Sequence, residues 1–270
     1  TTANAPANRQ MPIASVVSTN YKKRKTDNMP FTFSHPALVL PLKFLPRQWF
    51  SMTGLIIGSL TPDFEYFIRM RIQSDYSHTI GGLFWFDLPL GIISAFIFHG
   101  IVRDSLFDNL PKFLKTRFTP FKQFNWNQYF KTHWVIVLIS ILIGAFSHIF
   151  WDGFTHEHGY FVKTIPLLSQ TTELFARQIP ILKIIQHTST LLGGLVIAIF
   201  ILKLPKAENI NGRINIYYWA VFIALTIIIV AIRLITGLDY KSYRHVIVTG
   251  ISAGLISLIT TPYLLIRQKK

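Results

Sequence analysis

The sequence predicts an all-α membrane protein: a polytopic helical bundle with five transmembrane helices plus a short re-entrant or interfacial helical segment. Three observations predict it. Half of the 270 residues are apolar and only 14% are charged, against about 25% charged in a typical soluble domain. Five apolar runs, at 80–102, 133–151, 180–202, 214–236 and 245–266, have the roughly 20 residues needed to span a bilayer. A sixth run, 49–61, breaks at Pro62-Asp63 after only about a dozen apolar residues, too few to cross, so it is expected to be re-entrant, interfacial or buried against other helices.

The elements follow in order. Residues 1–28 are rich in Thr, Ala, Asn, Ser, Lys and Arg and include the cluster Lys22-Lys23-Arg24-Lys25. With no apolar periodicity, they read as a disordered basic extension. Patterned sequence begins at Met29, the expected initiator, and 29–270 reads as a single membrane-embedded domain. Ser34 before His35-Pro36, and Thr61 before Pro62-Asp63, are expected to cap short helices with proline in the first turn. Asp63 and Glu65 then suit the positive end of a helix dipole. Ser77-His78-Thr79 and Gly81-Gly82 lead into the first long span, which carries Asp87 about two turns in. Gly193-Gly194, and Gly250 with Gly254, are small-residue positions suited to helix contact in lipid. His99, His133 and His245 read as hydrogen-bonded packing residues.

The formal charge is +15, yet the basic residues are spread over the loops between apolar runs. There they act as topology signals and as attractors of anionic lipid. Membrane lipid is therefore the expected partner and nucleic acid is not. Loop 103–132, loop 203–213 and the tail after 266 hold twelve Lys and Arg, and the alternate loops hold six. This favours the first set on the cytoplasmic side, in an integral multi-pass protein of a bacterial inner membrane. The chain has no cysteine, so any metal must be held by nitrogen and oxygen.

The stretch Ser147-His148-Ile149-Phe150-Trp151-Asp152-Gly153-Phe154-Thr155-His156-Glu157-His158 ends the second span at the outer, non-cytoplasmic boundary. His148 and Asp152 share a helix face, one turn apart. Asp63, His78, Asp87 and His187 fall toward the same boundary. Charged groups inside or beside spans are costly to leave unpaired, and a shared metal satisfies several of them together. The residues alone leave two readings open, a metal site and a polar network that fastens helices.

The segment Met29-Pro30-Phe31-Thr32-Phe33-Ser34-His35-Pro36-Ala37, with Gly58-Ser59-Leu60-Thr61-Pro62-Asp63-Phe64-Glu65-Tyr66, resembles the DUF4184 family of uncharacterised membrane proteins. The ligand order is also similar to that of zinc-dependent phospholipase C and the predicted membrane-bound metal-dependent hydrolases. His35 matches an early His, Asp63 and His78 a spaced pair, and His148, Asp152 and His158 a central block, with His156 as the alternative to His158. His187 matches a last His, but Leu191 stands where a Glu is expected. This resemblance implies a helical di- or tri-metal site that cleaves phosphoesters. Asp152 would bridge, with Asp63, His78 and His148 on one metal and His158, His187 and His35 on a second. Asp87 or Glu157 would act as general base or orient a ligand. Zinc is favoured for such ligands, with manganese or iron possible. The expected function is a metal-dependent membrane hydrolase acting on a phosphoester or lipid-like substrate at the non-cytoplasmic boundary. The alternative is a non-catalytic multi-pass protein whose His/Asp cluster binds or transports an ion or fastens helices.

Overall fold

The structure, a computed structural model, describes residues 32–266 apart from 47, 175, 209, 211 and 212. The extension expected to be disordered over 1–28, and Met29, lie outside the described residues. Three short helices come first, α1 (Pro36–Val39), α2 (Met52–Gly58) and α3 (Phe64–Arg69). They are followed by α4 (Ile80–Asn109), α5 (Lys112–Phe118) and α6 (Trp126–Thr155). Beyond these are α7 (Tyr160–Thr164), α8 (Pro166–Ser169) and the strands β1 (Thr171–Leu174) and β2 (Arg177–Pro180). The chain continues through α9 (Ile181–Leu202), α10 (Ile216–Ile235) and α11 (Tyr243–Ile266). Among the described residues, α4, α6, α9, α10 and α11 are the five helices long and apolar enough to cross a membrane.

The long helices outrun their apolar cores. α6 starts at Trp126, before the apolar run begins, because the Asn125 side chain accepts the Gln128 N–H at 3.0 Å and caps it there. α4 contains two π-helical turns, Leu83–Asp87 and Phe98–Val102; such turns recur at functional sites. One local feature departs from the all-α expectation. β1 and β2 pair antiparallel, Thr171 opposite Pro180, in the loop ahead of α9. This segment is polar, so no apolar period marks it.

The short run 49–61 does not cross the bundle. The His35 ring stacks on His148 of α6 at 3.7 Å. Further along, the Ser51 N–H donates to Ser140 Oγ at 2.8 Å. At Ser59 the chain is back beside His148, whose Nδ1 meets the Ser59 carbonyl at 2.7 Å. α6 rises about 12 Å between Ser140 and His148. The segment from His35 to Asp63 thus dips by that depth and returns to the end it left, the re-entrant form anticipated from its length.

Glycine makes the return possible. A Cβ on Gly58 would collide with the Ile141 carbonyl, and one on Gly144 with the backbone of Leu55 and Ser59. α2 therefore lies backbone to backbone on α6, with Ser140 and Ile141 sealed beneath it. Of the glycines expected at helix contacts, Gly193 abuts Ser34 and Gly254 approaches the Phe222 ring, whereas Cβ atoms on Gly194 and Gly250 would meet open space.

The two expected hydroxyl caps form differently. Ser34 belongs to a 3-10 turn, Thr32–Ser34, and α1 has no side-chain cap, though Pro36 does open it. Thr61 Oγ1 donates backward to the Gly58 carbonyl at 2.8 Å. That carbonyl is left over at the end of α2 and needs a donor. The three histidines expected to be bonded packing residues all have partners, although His133 is exposed rather than packed. His99 Nε2 meets Thr53 Oγ1, His133 stacks on Tyr129, and His245 Nδ1 accepts the Ile72 N–H.

Candidate metal centre

Four separate stretches of chain deliver side chains to one buried point. α6 contributes His148 and Asp152 from successive turns. The 3-10 turn Thr61–Asp63, which follows α2, contributes Asp63. The loop before α4 contributes His78, and the residue before α1 contributes His35. His35, Asp63, His148 and Asp152 are all buried.

Glu65 shapes the loop that carries His78. Its buried carboxylate accepts the backbone N–H groups of Asp75, Tyr76 and Ser77 at 2.9, 3.0 and 2.9 Å and the Ser74 hydroxyl at 3.1 Å. Arg69 closes the cage from one turn along α3, Nε to Oε1 at 2.9 Å. Burial pushes the Glu65 carboxyl up, but these donors outweigh it and hold it at about 2. The Ser74 and Ser77 hydroxyls each lie 3.0 Å from His78 Nδ1. That fixes the ring with Nε2 toward the cluster.

His148 is oriented in the same way. Its Nδ1–H donates to the Ser59 carbonyl, which leaves Nε2 as a lone-pair donor. A backbone carbonyl on the far ring nitrogen is the usual support for a metal-binding histidine.

The separations at the centre decide what the cluster is suited to. His148 Nε2 lies 3.2 Å from Asp152 Oδ2 and 3.5 Å from Asp63 Oδ1. His78 Nε2 lies 3.5 Å from each of the same two oxygens. An N–H···O hydrogen bond prefers about 2.9–3.0 Å, and three of these four contacts are clearly longer. A tetrahedral ion with bonds of about 2.0–2.1 Å sets its ligand atoms roughly 3.3–3.4 Å apart. Nε2 of His78 and His148, Oδ2 of Asp63 and both Asp152 oxygens are buried without a hydrogen-bond partner among the described residues. One ligand atom from each of Asp63, His78, His148 and Asp152 lies within 4.8 Å of all the others. The cluster can hold a metal ion.

The other Asp152 oxygen faces a second set. Oδ1 is 3.6 Å from His35 Nε2 and 3.6 Å from His156 Nδ1. Neither ring nitrogen of His35 has a hydrogen-bond partner among the described residues. Burial, and then the neighbouring His148, lower the His35 imidazole to about 4, so it is neutral at pH 7 and free to coordinate. Burial acts on His78 in the same direction, but the carboxylates of Asp152 and Asp63 overcome it and raise that imidazole to about 9. The Asp63 carboxyl, despite its burial, is held well below the usual carboxylate range by His148 and His78.

Asp87 lies in the first π turn of α4, fully buried, with both oxygens lacking a hydrogen-bond partner among the described residues. Its turn packs against the Thr61–Asp63 turn and against α6, the elements that carry Asp63, His148 and Asp152.

Three residues expected at the site are not brought to it. His187 is exposed, because α9 turns Lys183 and Gln186 inward and the next residue lies about 100° around the helix. Leu191, one turn on, is 75% exposed. The position where a Glu was expected therefore faces outward together with its His. Glu157 and His158 are also exposed, in the turn that follows the end of α6 at Thr155. His156, the alternative to His158, takes the place beside Asp152. Past this turn the chain folds back, with Phe161 stacked on Phe154 at 3.9 Å and Val162, Leu168 and Leu182 packed together.

Glu65 is the site residue that sequence reasoning missed. Read alone it suits a helix dipole, and its true partners are backbone groups about ten residues on, which carry no side-chain signature.

The family model described as a domain of unknown function (DUF4184) matches residues 29–263, and the chain belongs to this family. Neither the curated proteins nor the solved structures yield a match.

Proposed function

We propose that this DUF4184 protein is a zinc-dependent membrane hydrolase that acts on a phosphoester, of lipid or lipid-like character, at the non-cytoplasmic boundary. The observation that carries the reading is the convergence of Asp63, His78, His148 and Asp152, with both imidazole Nε2 atoms 3.2–3.5 Å from Asp63 Oδ1 and Asp152 Oδ2 and one ligand atom from each of the four residues within 4.8 Å of the others. Two imidazoles and two carboxylates suit zinc, with manganese or iron as the other divalent candidates. A divalent metal held there supplies Lewis-acid activation of water and of a phosphoryl oxygen.

The chain's own residues have distinct tasks. Asp63, His78, His148 and Asp152 would hold the ion, and His35 and His156, which face the second Asp152 oxygen, would be the ligands available to another. Asp87 is the candidate proton acceptor, since its carboxylate is buried without a hydrogen-bond partner among the described residues, in a turn packed on the Thr61–Asp63 turn. Glu65 positions His78. The excess of Lys and Arg in loop 103–132, loop 203–213 and the tail after 266, at the other end of the spans, supports an outward-facing site.

The test is turnover by the detergent-purified protein on a panel of phosphoesters and phospholipids, before and after chelation. Hydrolysis that chelator abolishes, that zinc restores, and that Asp87→Asn cuts by about 10²–10⁴-fold is expected. Bound metal with no turnover across the panel would overturn the hydrolase reading in favour of a non-catalytic ion-binding protein.

A further inference from the structure

A second polar site lies at the other end of α6. From Trp126 to His148 the helix rises about 33 Å, close to the roughly 30 Å of a bilayer's hydrocarbon core. At that end a cavity of about 320 Å³ is lined by His99, Arg103, Lys122, Asn125, Trp126 and Asn127.

Its polar atoms are mostly donors. Arg103 is 7% exposed. Its Nη1 donates to the Phe124 carbonyl at 2.7 Å and lies 3.2 Å from His99 Nδ1. A guanidinium can only donate, so His99 accepts at Nδ1 and carries its proton on Nε2, toward Thr53. The His99 ring lies flat on Trp126, centroids 4.8 Å apart. Trp126 is 3% exposed, and its indole N–H has no acceptor among the described residues. Trp126 and Asn127 also open a 30-residue helix. Asn125 takes up the Gln128 N–H, so the backbone N–H groups of Trp126 and Asn127 have no partner within the helix.

Two carboxylates stand near. Asp104 accepts from Arg103 Nε at 2.7 Å, and Asp108 accepts from Lys122 Nζ at 2.6 Å. Both acids are about half exposed, 54% and 53%, so water screens them. The cavity thus gathers the Arg103 guanidinium, the Lys122 ammonium and the Trp126 indole at the positive end of a long helix, a set that suits an oxyanion.

We propose that this cavity binds a phosphate oxyanion at the membrane face opposite the metal centre, with Arg103, Lys122, the Trp126 indole N–H and the start of α6 as its donors. The phosphate can come from an anionic lipid headgroup or from free phosphate. The Lys- and Arg-rich loop 103–132 around the cavity is suited to an anionic leaflet. The proposal does not rest on the metal reading.

The test uses the full chain in detergent. Native mass spectrometry compares binding of phosphatidylglycerol and phosphatidylcholine, with inorganic phosphate as competitor. Phosphatidylglycerol should bind in preference. Lys122→Gln and Trp126→Phe, which leave the buried Arg103 contacts in place, should each weaken it about tenfold, the worth of one charge-assisted hydrogen bond. Displacement by inorganic phosphate would identify the free anion as a sufficient ligand, and resistance to it would identify the lipid. Equal binding of the two lipids together with no phosphate binding, or both variants binding like the wild type, would overturn the proposal.

Discussion

Asp152 is the residue on which the site turns, because its two oxygens face different histidine pairs. One faces His78 and His148 and the other His35 and His156. The charge state of these neighbours makes metal binding depend on pH. In the metal-free protein His78 titrates at about 9, so at neutral pH it carries a proton that a metal must displace. Metal affinity should therefore rise with pH across the neutral range, by about tenfold per unit for each ligand proton displaced. Competition with a chromophoric chelator across pH checks this, and an affinity flat from pH 6 to 8 would contradict it. At this scale much was legible in the sequence. The spacing of His148 and Asp152 fixes a shared face, and the Pro62-Asp63 break marks a costly acid. The roles of His158 and His187 were not legible, because a ligand order says nothing about which way a helix turns a given residue.

At the scale of elements, the site depends on α2 lying against α6 and on the loop folded around Glu65. Gly144→Ala would press a methyl group into the backbone of Leu55 and Ser59. A loss of about 1–3 kcal/mol is expected, seen as a lower unfolding midpoint in detergent, whereas Gly194→Ala, which meets open space inside a helix, should not lower the midpoint. Glu65→Gln should also destabilise the protein at pH 7. The Glu65 carboxyl is depressed from 4.5 to about 2 in the folded state, so its contribution is full above the unfolded value and fades as pH falls through the folded one. The gap between wild type and Glu65→Gln should therefore shrink from about pH 4.5 downward and vanish near pH 2. A gap independent of pH would refute the cage. The five long helices were readable because burial in lipid demands length and apolarity together. The β1–β2 hairpin and the 74–78 loop were not, since both are polar stretches held by backbone pairing.

Across the whole molecule, two polar sites sit at opposite ends of α6, one rich in carboxylate and imidazole, the other in N–H donors and cations. The charge bias of the loops predicts an outward face for the first and a cytoplasmic face for the second. Because the chain has no cysteine, His158→Cys and Asn127→Cys each give a single thiol. An impermeant maleimide on intact cells should label the first and spare the second, and the reverse pattern would invert the topology. The central claim is that Asp63, His78, His148 and Asp152 hold a divalent metal. The most direct measurement is the elemental metal content of the purified wild type beside Asp152→Ala and His187→Ala. The account predicts at least one equivalent in the wild type and in His187→Ala and its loss in Asp152→Ala. A metal-free wild type, or metal retained in Asp152→Ala but lost in His187→Ala, would contradict it.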